Sequence, residues 1–248
     1  MSTVLKRHLA HQHQTTSQNI NNMTGDQPPL RIILVRHGQT DHNRQRILQG
    51  HLDTDLNETG IKEASLAGQR LQDEKCVIDA VWSSDLKRCR QTTEIILKNA
   101  GQSSLEPTYW PDLRERAMGD LENMSVEDAR VKAHNEGKTF HDYGESAKAA
   151  VHRLNRAFDQ AVDHALDSNY KTIMIVSHGG VISKFAVHLL QRGFVFSSKV
   201  RDGDIRVPYN TSFTIVLVNK TTRNGVIDVF GDASHLGHNL RKVDQSEQ

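Results

Sequence analysis

The sequence predicts a three-layer α/β/α fold around a mixed, mostly parallel sheet. Short apolar runs alternate with segments that repeat apolar residues at helical spacing. A strand, a helix and another strand in succession need a crossover, which makes strands parallel and covers both faces of the sheet. Two late apolar runs are joined only by a turn-like stretch, which adds an antiparallel pair and makes the sheet mixed.

Residues 30–36, LRIILVR, form the first strand, followed by a polar loop over 38–57. Between 58 and 74, Ile61, Ala64, Leu66, Ala67 and Leu71 recur close to helical spacing, and Asn57 or Thr59 is placed to cap that helix. VIDAVWS, 77–83, reads as a strand, and 86–99 as a helix carrying Leu86, Cys89, Ile95, Ile96 and Leu97. A strand remnant opens 105–120 and runs into the loop DLRERAMGD. Residues 125–170 read as two polar helices separated near Gly137–Gly144. TIMIVS, 172–177, is a strand and VISKFAVHLLQ, 181–191, a helix. An irregular linker with Gly193, Gly203 and Pro208 spans 192–210. TSFTIVLV, 211–218, and VIDVF, 226–230, form an antiparallel edge pair across KTTRNG, and the chain from 232 reads as a surface tail.

The 248 residues carry 31 basic and 30 acidic side chains, for a net charge of +1. That balance gives no broad attraction to nucleic acid or to an anionic membrane. No apolar run nears the roughly 18 residues of a membrane span. Cys76 and Cys89 form no CxxC pair and read as reduced thiols of a cytoplasmic protein. Residues 1–29 are rich in Gln, Asn, Thr, Ser and His, with His8, His11 and His13 clustered, and hold too few apolar side chains to order themselves. They read as a disordered polar tail, with Met23 a usable second start. The Lys6-Arg7 pair leaves a weak mitochondrial alternative to a cytoplasmic, or also nuclear, location.

Two strands end alike. IILVRHG and IMIVSHGG each run four apolar residues into a polar residue, a histidine and a glycine. Ligands of open α/β sheets bind beyond the carboxyl ends of the strands. Each strand therefore holds a histidine, His37 or His178, at the rim, and the glycine lets backbone approach a ligand closely. Arg36 stands beside His37, and Arg88 lies near the start of a helix in SSDLKRCRQT. Two guanidiniums and two imidazoles on one rim suit a small dianion such as phosphate, which Arg grips through a planar fork. A neutral imidazole can attack phosphorus, and a carboxylic acid then protonates the departing alcohol. Glu115, on a loop after a strand, is the candidate acid. Each residue taken singly has an ordinary structural explanation; their joint occurrence is what indicates a site.

In order and together, LVRHGQTDHN, QGHLDTDLNETG, SSDLKRCRQT, LRERAMGDLENM and IVSHGG resemble the histidine phosphatase superfamily, also called phosphoglycerate-mutase-like, from about Leu30 to Leu236. The resemblance implies a helical cap from about 110 to 165, with 1–29 and 237–248 as tails. It implies His37 as the phosphorylated nucleophile, Arg36 and Arg88 as the clamp on phosphoryl oxygens, and Asn43 and Gln49 as further donors. It also implies His178 as a cation beside the phosphoryl group, Gly179 as a backbone N–H donor, and Glu115 as acid and then base. No metal and no cofactor is implied, and the expected partner is a small phosphorylated substrate.

The superfamily holds both phosphatases and mutases. The segment AHNEGKTFHDYGESAKAAVHRLNRAF is short, free of proline and without the paired arginines of the cofactor-dependent phosphoglycerate mutases. Its GES run before a helix with Arg153 resembles the phosphatase branch, as in small broad-specificity fungal phosphatases. The expectation is phosphomonoester hydrolysis of broad specificity at a site open to water, with cofactor-dependent phosphoglycerate mutase as the alternative. Asn123, where many relatives have Gly, is expected to narrow the entrance. A non-catalytic phospholigand module would tolerate loss of His37 or Glu115, and a metal-dependent hydrolase is disfavoured because no HExxH run occurs.

Overall fold

The computed structural model describes residues 27–200 and 205–237. His8, His11, His13 and Met23 of the N-terminal tail, and the C-terminal residues from 238, lie outside the described residues. The strands are β1 (Leu30–Arg36), β2 (Ala80–Ser84), β3 (Thr108–Trp110), β4 (Thr172–Ser177), β5 (Val195–Phe196), β6 (Phe213–Val218) and β7 (Gly225–Asp232). The helices are α1 (Asp41–Arg44), α2 (Glu58–Asp73), α3 (Lys87–Asn99), α4 (Val126–Asn135), α5 (Ala147–Asp167) and α6 (Gly179–Gln191).

One sheet holds all seven strands in the order β3-β2-β4-β1-β6-β7-β5. The β1–β4, β2–β4, β2–β3 and β5–β7 pairs are parallel, while β1–β6 and β6–β7 are antiparallel. The sheet is therefore mixed and mostly parallel. Alternation along each strand sends side chains to opposite layers. Leu30, Ile32, Leu34, Ile173 and Ile175 enter the core under α5 and α6. Ile33, Val35, Met174 and Val176 enter the core under α2 and α3. Each such buried side chain contributes about 1.5–3 kcal/mol, so both helix layers grip β1 and β4 and make them the rigid centre of the molecule.

Several expectations are corrected. The β6–β7 pair is not at the edge, because β6 also pairs with β1 and the two-residue β5 covers β7. Strand β2 starts at Ala80 rather than 77, since Val77 is 71% exposed. Asn57, not Thr59, caps α2, its side chain accepting the Gly60 N–H at 2.9 Å. The polar loop contains the short helix α1. Helix α6 begins at Gly179, two residues earlier than the spacing predicted, with His178 at its N-cap. The chain after 232 is not a loose surface tail, because Ala233 and Leu236 are buried around a 3₁₀ turn.

The cap is smaller than expected. A separate cluster of Leu48, Met118, Leu121, Val126, Ala129, Ala133 and Tyr143 gathers around α4. Helix α5 does not belong to it. Its stripe of Ala150, Leu154, Ala157, Phe158 and Ala161 packs into the sheet core, because the repeat continues unbroken through the helix. Among the described residues no helix is long and apolar enough to cross a membrane.

Candidate active site

The register of β1 on β4 pairs Arg36 with Ser177, so the next residue of each strand is a histidine. The rings of His37 and His178 lie 5.2 Å apart between centroids, at 60°. His37 Nδ1 is 2.7 Å from the Gly38 carbonyl oxygen. A carbonyl only accepts, so Nδ1 carries the proton and Nε2 carries the lone pair. The main chain at this point is tightly held: the Asn210 amide donates to His37 O at 2.7 Å, and Gly38 N–H donates to the Thr92 hydroxyl at 2.9 Å. A Cβ on Gly38 would lie 2.7 Å from Gly60 O, so no other residue fits there. Burial, and then the neighbouring Arg88 and Arg36, hold the His37 imidazole well below its ordinary range. It is neutral, as a nucleophile must be.

His178 is held differently. Arg88 Nε donates to its Nδ1 at 3.2 Å, which leaves the proton on Nε2, 2.9 Å from the Ser84 hydroxyl oxygen. Burial, Arg88 and His37 keep this ring well below its ordinary range as well. The ring is therefore neutral in this arrangement. The cause is desolvation beside a guanidinium; a dianion brought alongside acts in the opposite sense. Cys89 Sγ lies 3.5 Å from His178 Nε2, and burial pushes its thiol up to about 12, so it is inert packing. Both cysteines are free thiols.

Arg88 is 1% exposed. Besides His178 it donates to Leu52 O at 2.6 Å and Gly50 O at 2.9 Å. Three of its five N–H groups are used, which leaves one on each terminal nitrogen. Arg36 donates to Pro208 O at 2.7 Å. Around Thr40, two amide side chains converge: Asn43 Oδ1 accepts the Thr40 N–H and Gln49 Oε1 lies 3.1 Å from the Thr40 hydroxyl. Thr54 also donates to Gln49 Oε1 at 2.7 Å. With both oxygens engaged, both NH₂ groups face the other way. Asn43 Nδ2 and Gln49 Nε2 are buried without a hydrogen-bond partner. Unpaired buried donors cost about 1–3 kcal/mol each, and an anion is the group that satisfies donors with no acceptor of their own.

Glu115 is 3% exposed, and its carboxylate accepts Gly180 N–H and Arg116 N–H, both at 2.9 Å. The loop behind it is pinned through the backbone. Arg153 donates to Asp112 O, Arg114 O and Glu115 O at 2.7–2.9 Å and pairs with Glu145. His51 Nε2 donates to Glu115 O at 2.8 Å. Gly180 is the glycine whose N–H holds the acid. Gly179 is needed for space, because a Cβ there would lie 3.0 Å from Arg36 Cδ and Nε.

All of His37, Arg36, Arg88, Asn43, Gln49, Glu115 and His178 are at most 3% exposed. These seven side chains are thus held inside the fold by the contacts above. Asn123 is an exposed turn residue at φ +68°, paired at 3.3 Å with His42. Its conformation favours Gly and tolerates Asn, which accounts for the departure from the resemblance. Thr40, Ser84, His51, Thr92 and Asn210 were not singled out from the sequence. All but Asn210 lie within the quoted motifs, yet the contacts that give them a part in the site span 9 to 173 residues and are not signalled by the motifs themselves. Among the described residues, no group of three or more His, Cys, Asp or Glu side chains converges as metal ligands.

The sequence and the fold have counterparts among known proteins. The histidine phosphatase superfamily (branch 1) matches residues 32–225. The broad-specificity phosphatase YOR283W of Saccharomyces cerevisiae is 38% identical, over 84% of this chain and 88% of that one. The probable phosphatase C1687.21 of Schizosaccharomyces pombe is 39% identical, over 84% of this chain and 95% of that one. A solved phosphoglycerate mutase from Bacillus anthracis superposes with a TM-score of 0.71 over 88% of this chain and 98% of that one, at 22% identity, and speaks for the fold alone.

Proposed function

Because the chain belongs to the histidine phosphatase superfamily, branch 1, we propose that it is a metal-independent phosphatase that hydrolyses small phosphomonoesters through a phosphohistidine on His37. The observation that carries this reading is the His37 tautomer. With Nδ1–H on Gly38 O and the ring kept neutral, Nε2 presents a lone pair beside two guanidiniums.

His37 Nε2 attacks phosphorus, and the bond to the alcohol oxygen breaks. Arg36, Arg88, Asn43 Nδ2, Gln49 Nε2 and His178 hold the phosphoryl oxygens as charge builds on them. Glu115 gives its proton to the departing alcohol oxygen. The resulting carboxylate takes a proton from water, whose oxygen attacks the phosphohistidine. The phosphorus–nitrogen bond breaks, inorganic phosphate leaves, and His37 and Glu115 regain their starting protonation. The charge neutralisation that a metal would give comes here from two arginines.

The two fungal relatives support hydrolysis over transfer and, in the first, broad specificity. Incubation with 3-phosphoglycerate, with and without a bisphosphoglycerate, tests this. Inorganic phosphate is the expected main product in both arms. Faster appearance of 2-phosphoglycerate than of phosphate would replace this reading with the mutase one.

A further inference from the structure

The turn from Gln49 to Leu52 carries more than a buried amide donor. The Gln49 carbonyl accepts the Leu52 N–H at 2.8 Å, which closes the turn. Arg88 donates to Gly50 O and Leu52 O, the carbonyls on either side of His51. The His51 side chain reaches elsewhere. Its Nε2 lies 2.8 Å from Glu115 O, 64 residues further along the chain. A carbonyl only accepts, so Nε2 carries a proton there whatever the charge of the ring. The His51 main chain is fixed to the same region. Its N–H donates to Glu122 Oε1 at 3.0 Å, and that oxygen also accepts the Met118 N–H at 2.9 Å. A Cβ on Gly50, which has a φ of +47°, would collide with Glu122 Oε1, so the turn admits only glycine there.

Glu115 O has two lone pairs, and both are taken. His51 Nε2 holds one, and Arg153 Nη2, at 2.7 Å, holds the other. The two partners do different work. Arg153 spends all five N–H groups, three on the carbonyls of Asp112, Arg114 and Glu115 and two on the Glu145 carboxylate. It ties the loop of Glu115 to α5. His51 ties the same loop to the turn that holds Arg88 and carries Gln49. It therefore sets how far the group that protonates the leaving oxygen stands from the groups that receive the phosphoryl oxygens. A displacement of about 1 Å in such a spacing can cost on the order of 10²-fold in rate.

We infer that His51 is a positioning residue for proton transfer, its Nε2–H on Glu115 O fixing the general acid against the turn that serves phosphoryl binding. This rests on the reading of Glu115 as the acid at the leaving group. His51 is half-buried and takes no part in bond making in the mechanism above. The role needs a hydrogen-bond donor at Nε2 and neither an aromatic ring nor a charge.

Two substitutions separate donor from ring. His51→Phe keeps a ring and removes the donor, whereas His51→Gln removes the ring and keeps an N–H donor at similar reach. Each is assayed on an alkyl phosphate and on an aryl phosphate with a good leaving group, and the readout is the alkyl-to-aryl ratio of kcat/KM. That ratio follows the acid, because the aryl ester needs little protonation. Taken within one preparation, it cancels any loss of folded protein. In His51→Phe it should fall about 10- to 100-fold, from the scale of one hydrogen bond to that of a 1 Å displacement. His51→Gln should recover most of it. In a Glu115→Gln background, His51→Phe should lower the ratio no further, because no acid is left to place. An unchanged ratio in His51→Phe, an equal fall in His51→Gln, or a further fall in the double variant overturns the inference. The Glu115→Gln single variant separates the two failures. Equal losses on both esters there would remove the acid reading itself, whereas unequal losses with an unmoved His51→Phe ratio would remove only the role of His51.

Discussion

The two His-Gly units at the ends of β1 and β4 begin with nearly the same sequence and end in different states. After β1 the chain turns away, and His37 spends one nitrogen on its own neighbour's carbonyl, leaving the other with a lone pair. After β4 the chain goes straight into α6, and His178 has both nitrogens engaged, one by Arg88 and one by Ser84. Both rings are buried and both are neutral. On the proposed mechanism, what separates the nucleophile from the supporting ring is which partner occupies each nitrogen, not burial, charge or motif.

The sharpest way to break this comparison is to remove the rings one at a time. His37→Ala should lose on the order of 10⁴-fold or more in kcat, as removal of a covalent nucleophile does elsewhere. His178→Ala should lose on the order of 10²–10³-fold, the scale of one oxyanion donor. Comparable losses in steady-state assays of the two variants would erase the distinction.

Glu115 hangs from the β4 unit through Gly180 N–H, so it ties the second unit to proton transfer. Glu115→Gln should slow alkyl phosphates by about 10²–10⁴-fold. An aryl phosphate with a good leaving group should suffer much less. A parallel assay of both esters checks this, and equal losses would make Glu115 merely structural.

Ser84→Ala sharpens the comparison more gently. It deletes the acceptor at His178 Nε2, together with a longer contact to the Leu86 N–H, and should cost about tenfold in kcat/KM, the scale of one hydrogen bond. The acid limb of the pH profile should move with it, because the His178 Nε2 proton loses its acceptor. A pH profile that keeps its shape would mean Ser84 only fills space.

The smallest effect is on stability. Unfolded imidazoles take up a proton near pH 6.5, whereas folded His37 and His178 resist it until well below that value. The unfolded state therefore binds more protons as pH falls below about 6.5, and stability present above that pH is lost progressively below it. Denaturant midpoints at pH 7.5 and 5.5 should differ, and the difference should shrink when both rings are replaced. An equal shift in that double variant would assign the effect to other groups.

Much of this site could be read from the chain because its main groups follow local signals. Apolar runs ending in His-Gly mark His37 and His178, Arg36 is the last residue of β1, and Arg88 stands four residues after the end of β2. The supporting set could not be read so. Arg153 reaches Glu115 across 38 residues and Ser84 reaches His178 across 94. Thr40 is in a quoted motif, yet its part in turning Asn43 and Gln49 depends on the path of the loop. Strand β5 has two residues, too few for any periodicity. The boundary of the cap was misplaced because α5 reads as polar on one face, while its opposite stripe is what meets the sheet.

The central claim, that one of two near-identical units carries the covalent step, is tested most directly by trapping the phosphoenzyme. The wild type, His37→Ala and His178→Ala proteins are each mixed briefly with a ³²P-labelled phosphomonoester, quenched and mapped by peptide. The account predicts an alkali-stable, acid-labile label on His37 in the wild type, a slower-forming label on His37 in His178→Ala, and none in His37→Ala. A label on His178, or on a serine, aspartate or cysteine, would contradict it.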